Sequence, residues 1–89
     1  MDPYICIIVL NWNGLKETLD CLASLRRISY PRFKVIVVDN ASTDGSPKAI
    51  AEQFPEALLI RNQVNAGFDG GNNIGMRAAL REGAEAVLL

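Results

Sequence analysis

The chain alternates between short, nearly continuous apolar runs and segments in which apolar residues recur every three or four positions. The runs indicate strands buried on both faces, and the helical period indicates amphipathic helices. Four strands are predicted, at Tyr4 to Leu10, Lys34 to Asp39, Ala57 to Ile60 and Ala86 to Leu89. Three helices are predicted, at Leu15 to Arg27, from a cap at Asp44 or Ser46 to Pro55, and from about Gly70 to Glu82.

Strands that alternate with helices in this order predict an α/β domain. The expected architecture is a parallel sheet of about four strands, with right-handed crossovers and helices on both faces. Within the helices, Leu15, Leu19, Leu22 and Leu25 share one face of the first, and Ile50 and Phe54 lie on the inner face of the second. The small residues Gly71, Gly75, Ala78 and Ala79 form a stripe on the third.

Length, composition and charge exclude several classes of function for this chain. Eighty-nine residues, of which 49% are hydrophobic, can form one small core. A formal net charge of −1 gives no electrostatic case for binding nucleic acid or an anionic membrane. No run of about 18 apolar residues occurs, and no basic segment precedes the first apolar run. We therefore expect a cytoplasmic protein.

The reactive side chains restrict the chemistry further. Cys6 and Cys21 stand in apolar patterns without CxxC spacing, and the chain contains no His. A zinc site is not expected, and both thiols are predicted to be reduced core residues. Without His there is no Ser-His-Asp or Cys-His set. The acidic residues show no spacing typical of catalysis, and most of them are predicted to be solvated charges.

Polar segments follow three of the predicted strands at the point where each strand ends. They are Asn11–Gly14, Asp39–Ser46 and Asn65–Gly75. The carboxyl ends of parallel strands meet at one edge of a sheet, and open α/β sheets bind ligands in the crevice at that edge. We therefore expect the three segments to converge on one site.

Two residues of these segments are candidate contacts to a nucleotide. Asp39 can accept hydrogen bonds from a ribose or from the N3–H of a pyrimidine, or it can serve only to cap the turn and the following helix. Trp12 offers a stacking surface for a base, or it packs between loops. Asn11 and Asn13 tolerate left-handed backbone conformations and can serve only to make the turn.

The third segment is rich in glycine, which lets backbone approach a ligand closely. Its spacing is neither G-x-G-x-x-G nor that of a P-loop. A helix N-terminus that follows favours anionic groups, and the same glycines also permit close packing of helix on sheet. We expect both roles in part.

These segments together resemble family 2 glycosyltransferases of the GT-A fold, particularly the rhamnosyltransferase-like branch. The matching segments, in order, are Ile8–Gly14, Val37–Ser46, Asn65–Phe68 with Gly70–Gly75, and Gly83–Leu89. One departure is Asp69, which stands where this branch usually has a small residue. The resemblance implies the strand order 3-2-1-4 and a nucleotide-binding site made by Leu10, Asn11, Trp12, Asp39, Asn65 and Gly67.

The resemblance also implies an inverting transfer of sugar from a UDP- or dTDP-sugar to a hydroxyl of a carbohydrate or lipid-linked acceptor, in cell-surface polysaccharide synthesis. Mg²⁺ or Mn²⁺ would stabilise the leaving diphosphate. The family's Asp-X-Asp metal motif and catalytic base would follow Leu89. We therefore expect residues 1–89 to be the N-terminal part of a longer enzyme, peripheral to the inner face of the membrane, without activity or metal of their own.

Two other classes remain open. One is a non-catalytic nucleotide-binding α/β module, and the other is a protein-interaction domain that uses the exposed sheet edge. Because the last apolar run is cut at Leu89, we also expect the 89-residue chain to self-associate through an open strand edge.

Overall fold

The computed structural model describes residues 2–89 of the chain. Its elements, in chain order, are β1 (Ile5–Asn11), α1 (Leu15–Arg26), β2 (Phe33–Asn40), α2 (Ser46–Gln53), β3 (Leu58–Asn62), α3 (Gly67–Arg81) and β4 (Ala86–Leu88). All strand pairs are parallel, and the sheet order is β3-β2-β1-β4. The α/β class, the parallel sheet and the predicted strand order are confirmed.

Helices cover both faces of the sheet because the two central strands carry apolar side chains on alternate sides. One core lies under α3 and consists of Cys6, Ile8, Ile36, Val38, Ala78 and Ala79. The other lies under α1 and α2 and consists of Leu22, Val37, Ile50 and Phe54. The two central strands end in the polar residues Asn11 and Asn40, so polar side chains occupy the carboxyl edge of the sheet.

The small-residue stripe of α3 lets this helix lie directly on β1. A Cβ atom at Gly75 would lie 2.5 Å from Cγ2 of Ile8, and one at Gly71 would lie 2.8 Å from Cδ2 of Leu10. Both distances are below ordinary van der Waals contact. The packing role predicted for the stripe is therefore confirmed.

Several boundaries differ from the predicted ones. Helix α3 begins at Gly67 rather than near Gly70, because contacts from β2 anchor its first turn and override the weak helix propensity of the glycines. Strand β3 lies later than predicted, since β2 pairs with it as far as Asn40 and Asn62. Helix α1 ends one residue earlier than predicted, and so does β4.

One predicted core position on α1 is wrong, and one residue of its predicted apolar face is exposed. Cys21 is exposed, because it lies on the outer side of the helix beside buried Leu22. Leu15 is also exposed, since its first-turn position places it at the rim of the core. Cys6 is buried as predicted.

Candidate functional site at the carboxyl edge of the sheet

The loops that follow β1 and β2 meet at the carboxyl edge, as the alternation of strands and helices predicts. Asn11 and Asp39 are register partners at the ends of these two strands. Beyond them, the backbone N–H of Asn13 donates to Oγ of Ser42 at 2.8 Å. The backbone N–H of Thr43 in turn donates to Oδ1 of Asn13 at 2.7 Å. These bonds hold the two loops in a single arrangement.

A hydrogen-bonded group, which we call the buried polar cluster, lies between the strand ends and the first turns of α1 and α2. Its members are Asn11, Thr18, Asp39, Ser42 and Ser46. The Asn11 amide nitrogen Nδ2 lies 2.7 Å from Oδ1 of Asp39 and 2.7 Å from Oγ of Ser46. The Thr18 hydroxyl donates to Oδ1 of Asn11 at 2.6 Å. The cluster thus ties two strands to two helices.

Asp39 is the charged member of this cluster and is only 1% exposed. Its Oδ1 accepts from Nδ2 of Asn11 and from the Ser42 hydroxyl, the latter at 2.6 Å. Its Oδ2 accepts the backbone N–H of Ser42 at 3.0 Å. The carboxylate therefore stabilises the turn after β2, which was one of its two predicted roles. Oδ2 accepts one bond from the chain and keeps capacity for a second donor, so a ligand contact stays a prediction.

Asp44 joins the N-termini of the two helices on this side of the sheet. Its Oδ1 accepts from the hydroxyl and the backbone N–H of Ser46 at 2.6 and 2.9 Å, and its Oδ2 accepts from the backbone N–H of Leu15 at 3.1 Å. Hydrogen bonds from Ser46 are the main reason that the pKa of Asp44 is lowered from its ordinary value. The N-cap position of α2 itself is Gly45, which has φ of +82°.

The cap geometry corrects two predictions made from the sequence. Ser46 is the first residue of α2 rather than its cap, and Asp44 reaches the helix from one residue further out. Asn11 belongs to β1, whereas the positive φ angles of non-glycine residues in this region belong to Asn13 and Ala41, at 50° and 62°. The turn-making role therefore falls on Asn13, while Asn11 bonds laterally because strand pairing keeps its backbone extended.

A second group, which we call the exposed rim, consists of Trp12, Asn65, Gly67 and Phe68. Trp12 is 61% exposed and Phe68 is 73% exposed, so both rings are open to solvent. Asn65 Oδ1 accepts the backbone N–H of Gly67 at 2.8 Å, and Gly67 has φ of +74°. Glycine adopts that angle without the strain that a side chain would add. The contacts predicted for these residues with a nucleotide stay predictions.

Asn40 anchors the start of α3 and was missed by the sequence analysis. Its Nδ2 donates to the carbonyl oxygen of Gly67 at 3.2 Å, and its Oδ1 accepts from Nδ2 of Asn62 at 2.8 Å. A signal was present, because Asn40 follows Asp39 on β2 and alternate strand residues point to opposite faces. Leu10, the remaining predicted site residue, is half-buried and packs against the α3 core.

A cavity of about 510 Å³ lies beside this edge and is lined by Ala41, Ser42, Arg61, Asn62 and Gln63. It is adjacent to the backbone that carries Asp39. Another cavity, of about 380 Å³, lies at the opposite edge of the sheet, where Arg26 stacks over Phe54 and pairs with Glu56. The charges of Arg26 and Glu56 neutralise each other, and this cavity lies away from the converging loops. The carboxyl edge is therefore the stronger candidate for a functional site.

Residues 2–89 lack the features of a metal centre and of a membrane span. This part of the chain contains no group of three or more His, Cys, Asp or Glu side chains that could hold a metal ion. None of the three helices is long and apolar enough to cross a bilayer.

Comparison with known proteins finds a family and individual proteins that are similar to this chain. The family described as Glycosyl transferase family 2 matches residues 6–87. Glycosyltransferase AglE of Haloferax volcanii is 31% identical over 77 residues, covering 79% of this chain and 25% of that protein. An N-acetylglucosaminyl-diphospho-decaprenol L-rhamnosyltransferase of Mycobacterium tuberculosis is 36% identical over 47 residues, covering 53% of this chain and 15% of that protein.

The fold is also similar to a solved structure, that of a mannosyltransferase from Pyrobaculum calidifontis in complex with GDP-Man and Mn²⁺. The TM-score is 0.80 at 34% identity, and the match covers 89% of this chain and 25% of the mannosyltransferase. The chain therefore spans about a quarter or less of the length of these three proteins.

Proposed function

Because the chain belongs to glycosyl transferase family 2, we propose that it forms the nucleotide-binding part of an enzyme that uses a nucleotide-diphosphate sugar. The observation that carries the proposal is the joining of the loop after β1, which bears Trp12, to the loop after β2, which follows Asp39. The carboxylate of Asp39 is held in place by hydrogen bonds, and the Trp12 ring, which directly follows β1, is exposed. Those are the two surfaces that a nucleoside needs, one for its base edge and one for its base face.

Each candidate residue has a separate role in this proposal. Trp12 stacks on the base, and Asp39 accepts an N–H from its edge. The backbones of Leu10 and Asn11 contact the nucleoside, and Asn65 and Gly67 line the same pocket; this division of roles follows the family resemblance. We expect a UDP- or dTDP-sugar, because uracil and thymine both carry the N3–H that a carboxylate accepts. Guanine also carries a ring N–H, so GDP belongs in the test.

For the whole enzyme we propose an inverting displacement, in which a carboxylate base deprotonates an acceptor hydroxyl that attacks the anomeric carbon. A divalent cation, Mg²⁺ or Mn²⁺, would supply charge stabilisation for the leaving diphosphate. In this proposal, residues 2–89 contribute binding and orientation of the nucleotide. A role in cell-surface polysaccharide synthesis and a cytoplasmic location at the inner membrane face remain part of the proposal.

The direct test is titration of the 89-residue chain with UDP, dTDP, GDP and CDP while the fluorescence of Trp12 is followed. Trp12 is the only tryptophan, so any quenching reports on its ring. We expect quenching by UDP and dTDP and much weaker binding of CDP, whose cytosine has an acceptor at N3 where uracil has a donor. Absence of quenching and of calorimetric heat with all four nucleotides would contradict the proposal.

Two further expectations concern the 89-residue chain by itself. We expect neither sugar transfer nor donor hydrolysis above background, and measurable transfer would mean that some residues assigned to folding or binding are catalytic. We also expect self-association through β4, which pairs only with β1 in the described sheet and carries the exposed Leu88. Light scattering that shows a monomer at high concentration would contradict the second expectation.

A further inference from the structure

The orientation of the Asn11 amide is determined by its neighbours. Its Oδ1 accepts from the Thr18 hydroxyl at 2.6 Å, and its Nδ2 faces Oδ1 of Asp39 at 2.7 Å. An ionised carboxylate only accepts hydrogen bonds, so the amide nitrogen must be the atom on that side. The Thr18 hydroxyl donates to the amide oxygen Oδ1 on the opposite side, which agrees with this orientation of the amide.

The surrounding backbone leaves space for this arrangement. A Cβ atom at Gly14 would lie 3.3 Å from Oδ1 of Asn11 and 3.3 Å from Oγ1 of Thr18. Asn11 and Thr18 are both buried, as is Ser46, which accepts the second bond from the amide. A buried polar group without a partner is costly. Within residues 2–89 every buried side-chain nitrogen and oxygen has one.

We propose that Asn11, oriented by Thr18, is a positioning residue that presents Oδ2 of Asp39 to a ring N–H of the donor nucleotide. The inference rests on the proposed function and deepens it. Oδ1 of Asp39 already accepts two hydrogen bonds, from Asn11 and Ser42, whereas Oδ2 accepts only the Ser42 backbone N–H. The free acceptor capacity therefore lies on Oδ2. A base that presents an acceptor instead of an N–H to this oxygen is rejected.

Asn11→Asp tests the inference, because it replaces the amide donor by a group that donates only when protonated. At acidic pH the two neighbouring carboxyl groups share a proton, and the hydrogen bond to Asp39 is kept. At higher pH both are ionised and repel each other. We expect the affinity of the variant for UDP to approach that of the wild type at pH 5 and to fall at least about tenfold by pH 8.

Other charged side chains lie near the cluster, and the wild-type protein serves as the control for their titration. Asp44 faces it through Ser46, Glu17 lies near Gly14 on α1, and Arg61 is the β3 register partner of Asp39. These groups are the same in wild type and variant, so the difference between the two pH profiles isolates position 11. Gln53→Glu makes the same change of amide to carboxylate on an exposed residue at the far end of α2. It should bind UDP with the pH profile of the wild type.

Thr18 provides a second, uncharged test. Thr18→Val removes the hydroxyl that orients the amide, whereas Thr18→Ser keeps it. We expect about a 5- to 10-fold loss of UDP affinity in the first variant and recovery to within about twofold in the second. Equal affinity of the two variants, or a pH profile of Asn11→Asp that matches the wild type, would overturn the inference.

The NMR signal of the Ser42 backbone N–H separates this inference from the proposed function, because that group donates to Oδ2 of Asp39 without any ligand. In Asn11→Asp we expect this signal to move with pH between 5 and 8 more than in the wild type. If wild-type protein binds no nucleotide, the proposed function fails, and this signal alone decides whether Asn11 positions Asp39. Identical movement in both proteins would show that it does not.

Discussion

The buried polar cluster and the exposed rim share one edge of the sheet but are held in different ways. In the cluster, Asn11 and Asp39 are each 1% exposed and bond to other side chains. In the rim, Trp12 and Phe68 are mostly exposed, and the hydrogen bonds hold the backbone beside the rings, at Asn13 and Gly67. The cluster is organised before any ligand arrives, whereas the rim rings are free to adjust. Ordering polar groups in advance reduces the entropic cost of binding.

The comparison also separates stability from binding. Removing a cluster residue leaves buried donors or acceptors without partners and should destabilise the fold. Removing a rim side chain should leave the fold almost unchanged and affect only a ligand. The following changes test this separation, from the largest expected effect on folding to the smallest.

Asp39→Ala should have the largest effect, because it leaves Nδ2 of Asn11 and the Ser42 hydroxyl without their acceptor. We expect a loss of about 3 kcal/mol in the free energy of unfolding, at the upper end of the range for unsatisfied buried groups. Urea denaturation followed by circular dichroism measures it. In the parent enzyme, affinity for the donor should fall by about 1–3 kcal/mol as well. Wild-type stability in this variant would mean that the cluster is dispensable for folding.

Gly71→Ala tests whether the rim depends on the packing beneath it. The added Cβ would lie 2.8 Å from Cδ2 of Leu10 and 3.1 Å from Nδ2 of Asn40. We expect a loss of about 1–3 kcal/mol in unfolding free energy, as in other overpacked cores. Asn73→Ala, at an exposed position of the same helix, is the matched control and should keep full stability in the same denaturation experiment. Equal stability of the two variants would show that α3 can shift at no cost.

Trp12→Ala should weaken nucleotide binding without the loss of stability that is expected for Asp39→Ala. The unfolding free energy should change by less than about 0.5 kcal/mol, because the ring is mostly exposed. Affinity for UDP should fall by about 1–3 kcal/mol if the ring stacks on the base. Trp12→Phe keeps an aromatic face and should recover most of that affinity in calorimetry. A strongly destabilised Trp12→Ala variant would return this residue to the packing role.

Asp44 gives the smallest expected effect, since it is exposed although its hydrogen bonds lower its pKa. A carboxylate whose pKa is lower in the folded state stabilises the fold above its unfolded pKa of about 3.9, and this contribution is lost as the pH falls through the folded pKa. Thermal unfolding from pH 6 to pH 3 should therefore show a gap between wild type and Asp44→Asn that closes with acid. A gap that is independent of pH would assign the effect to hydrogen-bond geometry alone.

Sequence reasoning was most successful where a single local signal was strong. Apolar runs located all four strands, three of them followed by polar segments, and the inner-face positions Ile50 and Phe54 are buried as predicted. The order of the strands came from the family resemblance rather than from the pattern. The start of α3 was misplaced because Gly70 and Gly71 have low helix propensity, and the hydrogen bonds from Asn40 that outweigh it join residues 26 and 27 positions apart.

The sequence by itself determined the α/β class, the alternation of buried strands and amphipathic helices, and the convergence of three polar segments on one edge. Those properties follow from hydrophobic periodicity and from the geometry of parallel strands, which are local or general. Only the tertiary structure decided that Asn11 and Asp39 are buried partners while Trp12 is left in solvent. The adjacent residues Asn11 and Trp12 differ in this way because strand register and side-chain alternation determine which of them meets another element.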